Sequence, residues 1–322
     1  MKKFLTNSTL LQAKSHVSKG ELDQARRLYQ SVLESFPKNL RAKQGLLALN
    51  HNKENDDCNS IKKEISELLT LYKKGQLMTV VKQAGKLSSK FPNSIMLLKI
   101  LGMAFRDLGR LQESETSFKR LIDLDSSDPN SHNNLGIVLK ARGNLSEAIE
   151  SFKNAIQLNS TYTGAFNNLG CTYQDQGKLH EAIKSFSKAI SLSPNYAEGY
   201  YNMGNALQDL GKSTEAINAY NKATELKPNY IEAYYNIGVA LQAEEKLGDS
   251  LKAYEKVIDL QPNNISAYIN SGVILYDQGK IEQSIICYRK VLELDPGSIN
   301  SFSNIFFPLR CIKGKDPKSY HR

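Results

Sequence analysis

The chain has 322 residues, 40% of them hydrophobic, and a formal net charge of +9. No stretch approaches the ~20 apolar residues of a membrane-spanning helix. Two lysines open the chain, but no apolar run follows them, so no secretory signal is read there. The excess charge is uneven: residues 1–94 hold 17 Lys or Arg against 8 Asp or Glu, and the rest is neutral. That asymmetry suits either an acidic partner or lysines on outward helix faces. With no aromatic interleaving and no arginine cluster, it argues against nucleic acid.

In chain order, residues 6–39 form a first, divergent unit marked by Ala13, Gly20, Ala25, Tyr29, Val32 and Pro37. Leu40 to Leu49 predicts one more helix, so residues 1–50 read as a small N-terminal piece. The polar run HNKENDDCNS predicts a linker over 51–60. A second divergent unit, 61–94, restarts with Leu68, Gly75, Val80, Ala84, Leu87 and Pro92. From Ile95 the phase holds without slippage, giving units 95–128, 129–162, 163–196, 197–230, 231–264 and 265–298 and an array over 61–298.

Two of these units superpose residue on residue. Gly170 falls on Gly204, Gly177 on Gly211, Ala182 on Ala216, Phe186 on Tyr220, Ala189 on Ala223 and Pro194 on Pro228. Tyr200, Met203, Gly204 and Leu207 recur at helical spacing, as do Ala216, Ile217, Tyr220, Ala223 and Leu226. Gly211 closes the first helix and Pro228 ends the second. Small residues at Gly204, Ala216 and Ala223 let the two helices approach. One hairpin cannot bury both apolar faces, so successive units must stack. The turn glycine recurs at 109, 143, 177, 211 and 279, and Glu245 replaces it once, predicting a longer or frayed helix end. After Gly297, a helix over 299–312 with Phe306 and Pro308 is expected to cap the last unit. The basic tail 313–322 follows it.

A 34-residue period with these marks resembles the tetratricopeptide repeat family. The resemblance implies an all-α fold: a right-handed α-solenoid, or superhelix, of stacked helix-turn-helix units. It also implies that the first helix of each unit lines a concave groove.

The informative polar residues stand on those first helices. Asn134, Asn168, Asn202, Asn236 and Asn270 occupy the sixth place of successive units, and Asn304 continues the series. At ~100° per residue, this place lies ~200° from both the fourth and the eighth, on the face turned from the core. Seven residues further stand Asp175, Asp209 and Asp277, with Asp107 equivalent in an earlier unit; seven steps return to within ~20°. An asparagine amide matches the donor and acceptor of a peptide group. Helices roughly 8–10 Å apart span about three extended residues at ~3.3 Å each. The series therefore suits a backbone-holding ladder, and equally a solvated helix face. The pattern also resembles the superhelical repeat region of O-GlcNAc transferases, which implies that such asparagines grip a substrate backbone.

No enzyme is expected from this chain. His16, His51, His132, His180 and His321 are scattered, and Cys58, Cys171, Cys287 and Cys311 lack metal-ligand spacing. No cofactor or metal is expected, and reduced thiols fit a cytoplasmic setting. The leading expectation is a non-catalytic protein-protein interaction scaffold that holds an extended peptide or partner protein in its groove. The alternative is the substrate-recognition array of a glycosyltransferase, sulfotransferase or methyltransferase whose catalytic domain lies outside this chain.

Overall fold

The computed structural model describes residues 2–296, the side chains of 2–7 and 50–60 excepted. The expected capping helix 299–312, the tail and Asn304 lie outside the described residues. Among those described there are sixteen α-helices and no strand, and the chain divides into two compact units, with the boundary in sequence between Arg110 and Leu111.

The first unit holds α1 (Lys2–Ser18), α2 (Leu22–Ser35), α3 (Leu40–Lys73), α4 (Leu77–Lys90) and α5 (Ile95–Asp107). Its α3 corrects the expected linker: one helix of 34 residues runs through 51–60. The stretch is polar, but it contains neither Gly nor Pro between Gly45 and Gly75, so nothing in it breaks a helix. Both ends of α3 are anchored in apolar clusters. Ala42 and Leu49 pack with Leu10, Ala13, Ala25, Tyr29 and Val32. Leu68, near the other end, packs with Val80, Ala84, Leu97, Ile100 and Ala104. The division of the chain therefore falls not at 51–60 but inside the repeat that starts at Ile95.

The second unit begins with α6 (Leu111–Leu124) and continues as five hairpins. They are α7 (Pro129–Ala141) with α8 (Leu145–Leu158), α9 (Thr163–Asp175) with α10 (Leu179–Leu192), and α11 (Ala197–Asp209) with α12 (Ser213–Leu226). The last two pair α13 (Ile231–Ala243) with α14 (Leu247–Leu260), and α15 (Ile265–Asp277) with α16 (Ile281–Leu294). Each second helix also packs on the next first helix, which makes a helical solenoid.

The close approach inside each hairpin has a single steric origin. A Cβ added at Gly204 would lie 2.5 Å from the Tyr220 ring, and one at Gly170 would lie 2.6 Å from Phe186. Both rings are fully buried. Glycine here is a packing requirement, because the facing ring occupies the space of a side chain.

Glu245 corrects a second expectation. α13 ends at Ala243, with the same 13 residues as its neighbours, and Glu245 itself takes the turn at φ +58°. Its N–H donates to the Gln242 carbonyl at 3.0 Å, as that of Gly211 does to Gln208 at 2.9 Å. Packing on both sides holds the turn geometry, and the side chain is carried into the left-handed region.

Candidate functional site

Within each unit, neighbouring first helices lie with their residues displaced by one, so that contacts recur at a separation of 35. The asparagine series uses this offset. Asn168 Nδ2 donates to Asn133 Oδ1 at 3.0 Å, and Asn202 Nδ2 to Asn167 Oδ1 at 3.0 Å. Asn236 Nδ2 donates to Asn205 Oδ1 at 2.9 Å and reaches the Tyr201 hydroxyl at 3.5 Å. Asn270 Nδ2 donates to the hydroxyls of Tyr235 and Tyr254, both at 3.1 Å. Asn134 is half-buried like these four. The side-chain N–H groups of Asn168, Asn202, Asn236 and Asn270 stitch one repeat to the next. No group among the described residues donates to the side-chain oxygens of Asn168, Asn202 or Asn270.

The aspartates form a second row with the same offset. Lys140 Nζ lies 3.1 Å from Asp175 Oδ2, and Gln174 Nε2 donates to Asp209 Oδ2 at 2.6 Å. In the first unit, the Tyr72 hydroxyl donates to Asp107 across the same 35 residues. Asp277 is exposed.

Sequence reasoning missed the residue before each asparagine. That place holds Asn133 and Asn167, then Tyr201 and Tyr235. Asn167 is only 3% exposed; it accepts from Asn202 and donates to Glu198 Oε1 at 3.5 Å. Tyr201 stacks obliquely near Tyr230, with ring centroids 4.9 Å apart. Tyr201, Tyr235, Glu232, Asn236, Gln261 and Ser266 line an open pocket of about 350 Å³. The place changes once from amide to aromatic, and its role was visible only once its neighbour's bonding was known. With Glu198, Glu232, Asp175, Asp209 and Asp277 against Lys140, this face of the second unit carries an acidic excess.

Reactive groups are muted. Burial pushes the Cys171 thiol up to about 11, so it stays protonated at neutral pH. Burial also raises Cys287. Among the described residues, no cluster of three or more His, Cys, Asp or Glu is placed to hold a metal. No helix there is long and apolar enough to cross a membrane.

The comparisons agree with this architecture. Models described as TPR repeat match residues 102–143, 138–177, 172–211 and 204–245. Models described as tetratricopeptide repeat match 231–264, 265–298 and 10–57. The chain belongs to the tetratricopeptide repeat family. No curated protein matches it. Among solved structures it is similar to YrrB, a TPR protein with an unusual peptide-binding site: TM-score 0.50 and 23% identity over 58% of this chain and 96% of that one. It is also similar to the C-terminal part of a TPR repeat-containing protein from Cytophaga hutchinsonii, with TM-score 0.62 and 18% identity over 75% and 99%. A third, MamA, gives TM-score 0.50 and 27% identity over 53% and 94%.

Proposed function

We propose that the protein is a binding scaffold whose second unit holds an extended, basic peptide along its first helices. The observation that carries this reading is the ladder itself. Asn168, Asn202, Asn236 and Asn270 are fixed by bonds to the preceding repeat, and the side-chain carbonyl oxygens of Asn168, Asn202 and Asn270 accept from no group among the described residues. A peptide laid along the ladder would donate backbone N–H groups to these oxygens. Because the amides are already immobilised, little side-chain entropy is lost on binding. The acidic excess of the face favours a partner carrying Lys or Arg. The pocket between Tyr201 and Tyr235, with Glu232 at its edge, offers such a side chain aromatic and carboxylate contact together.

The experiment is a selection from a random peptide library on the full chain, followed by titration of the selected peptides. They are expected to be rich in Lys or Arg and to bind less tightly as salt rises. Replacing Asn168, Asn202 and Asn236 together by Ala is expected to weaken binding by roughly 1–3 kcal/mol, measured well below the melting temperature of the variant. Peptides of acidic or neutral composition, or peptides that bind the triple variant unchanged, would remove the reading.

A further inference from the structure

The first unit contains a separate pocket, of about 210 Å³, lined by Leu10, Leu11, Lys14, Tyr29 and Arg41. Leu10 and Lys14 stand one turn apart on α1, and Arg41 and Gly45 one turn apart on α3, so each pair shares a helix face. Tyr29 reaches between them from α2. Its ring crosses α3 at Gly45, where an added Cβ would lie 2.4 Å from Tyr29 Cζ. The phenol can occupy this position only because residue 45 has no side chain.

Tyr29 is 3% exposed, yet its hydroxyl takes part in no hydrogen bond among the described residues. The oxygen is not among the buried unpartnered atoms, and Tyr29 lines the pocket. Lys14 and Arg41, which flank it, are exposed and form no ion pair among the described residues. Two cationic residues and a tyrosine thus line one concave site together with Leu10 and Leu11. This is also the part of the chain that carries the whole excess of positive charge.

We propose that Lys14, Tyr29 and Arg41 form a binding site for a dianionic phosphate monoester. Two positive charges balance a dianion, whereas a carboxylate would leave one uncompensated. The planar guanidinium of Arg41 can take two phosphate oxygens, and the ammonium of Lys14 and the hydroxyl of Tyr29 donate to the third. The apolar wall faces the carbon stem of the ester. The proposal is independent of the peptide ladder in the second unit.

The test titrates the full chain with N-acetyl-O-phosphoserine amide, inorganic phosphate and N-acetyl-aspartate amide. The phosphoserine derivative is expected to bind most tightly. Its affinity is expected to fall about tenfold between about pH 7.5 and about pH 5, as the ester passes its second ionisation near 6. Arg41→Gln and Tyr29→Phe are each expected to weaken it about tenfold with the circular dichroism unchanged. If Tyr29→Phe perturbs the fold, Arg41→Gln, at an exposed position, decides alone. Equal binding of the aspartate derivative would overturn the dianion assignment, and equal binding of inorganic phosphate would overturn the ester. Wild-type affinity in Arg41→Gln, or no binding of any probe, would overturn the site.

Discussion

The side-chain amide of Asn202 donates to the carbonyl oxygen of Asn167, 3.0 Å away and 35 residues earlier. Asn167 in turn donates to Glu198, so three polar side chains form one chain of bonds across α9 and α11. A stability effect follows that the period alone does not suggest. Replacing Asn168, Asn202 and Asn236 by Ala removes bonds between four successive first helices. At about 0.5–1.5 kcal/mol for each net bond, the triple variant is expected to lose roughly 1.5–4.5 kcal/mol in urea titration. Unchanged stability would mean that these side chains are solvated and the ladder contributes nothing to stacking.

Much of this was legible in the sequence. Small residues and aromatics at a spacing of 34 gave the hairpins, because steric fit between Gly204 and Tyr220 tolerates few substitutions. Polar residues were harder to read. Asn168 on a helix face is compatible with water, a ligand or the neighbouring repeat, and only the one-residue displacement between first helices decides among them. The run at 51–60 misled for a related reason: polarity lowers burial, but only Gly or Pro would have stopped α3. The replacement of Asn by Tyr between Asn167 and Tyr201 left no mark that periodicity could detect.

Glu245 is the one non-glycine at positive φ among the described residues. The left-handed region costs about 1–2 kcal/mol, while glycine adds about 0.4–1 kcal/mol of unfolded-state entropy. Glu245→Gly is therefore expected to stabilise by about 0.5–1 kcal/mol in denaturant titration. A destabilised variant would show that the side chain holds the turn by contacts of its own.

Gly204→Leu is expected to destabilise by at least about 1–3 kcal/mol, since even a Cβ would sit 2.5 Å from the Tyr220 ring. Lys188→Ala, at an exposed position on α10, is the control and is expected to change little. Equal melting temperatures for the two variants would refute the packing of α11 on α12.

Glu115 is 6% exposed and meets both Lys119 and Arg142. Arg142→Ala leaves a buried carboxylate with Lys119 alone. With Arg142 itself partly exposed, the expected cost is about 1–3 kcal/mol, and Glu115→Gln in the same background is expected to restore part of it. A double variant no more stable than Arg142→Ala would separate the two residues.

Alkali offers another test. Burial holds Cys171 near 11, against 9.0 for a free thiol, and Tyr254 near 12, against 10.0. Both folded-state values are raised, so the unfolded chain ionises first. The stability these groups confer is complete below about pH 9 and is lost progressively as pH rises through the folded values. Unfolding titrations between about pH 8 and about pH 11 are expected to show this decline, less steep in Cys171→Ala. An identical slope in wild type and variant would exclude Cys171 as a source.

The measurement that bears most directly on the peptide ladder is photocrosslinking of a library-selected peptide. A photoreactive residue is placed either at Ser266, on the edge of the Tyr201 and Tyr235 pocket, or at Lys188 on α10. Both positions are exposed, so either label leaves the core intact. The expected result is strong labelling from position 266, suppressed by unlabelled peptide, with none from position 188. Labelling from position 188 alone would place the peptide on the second helices and contradict the account.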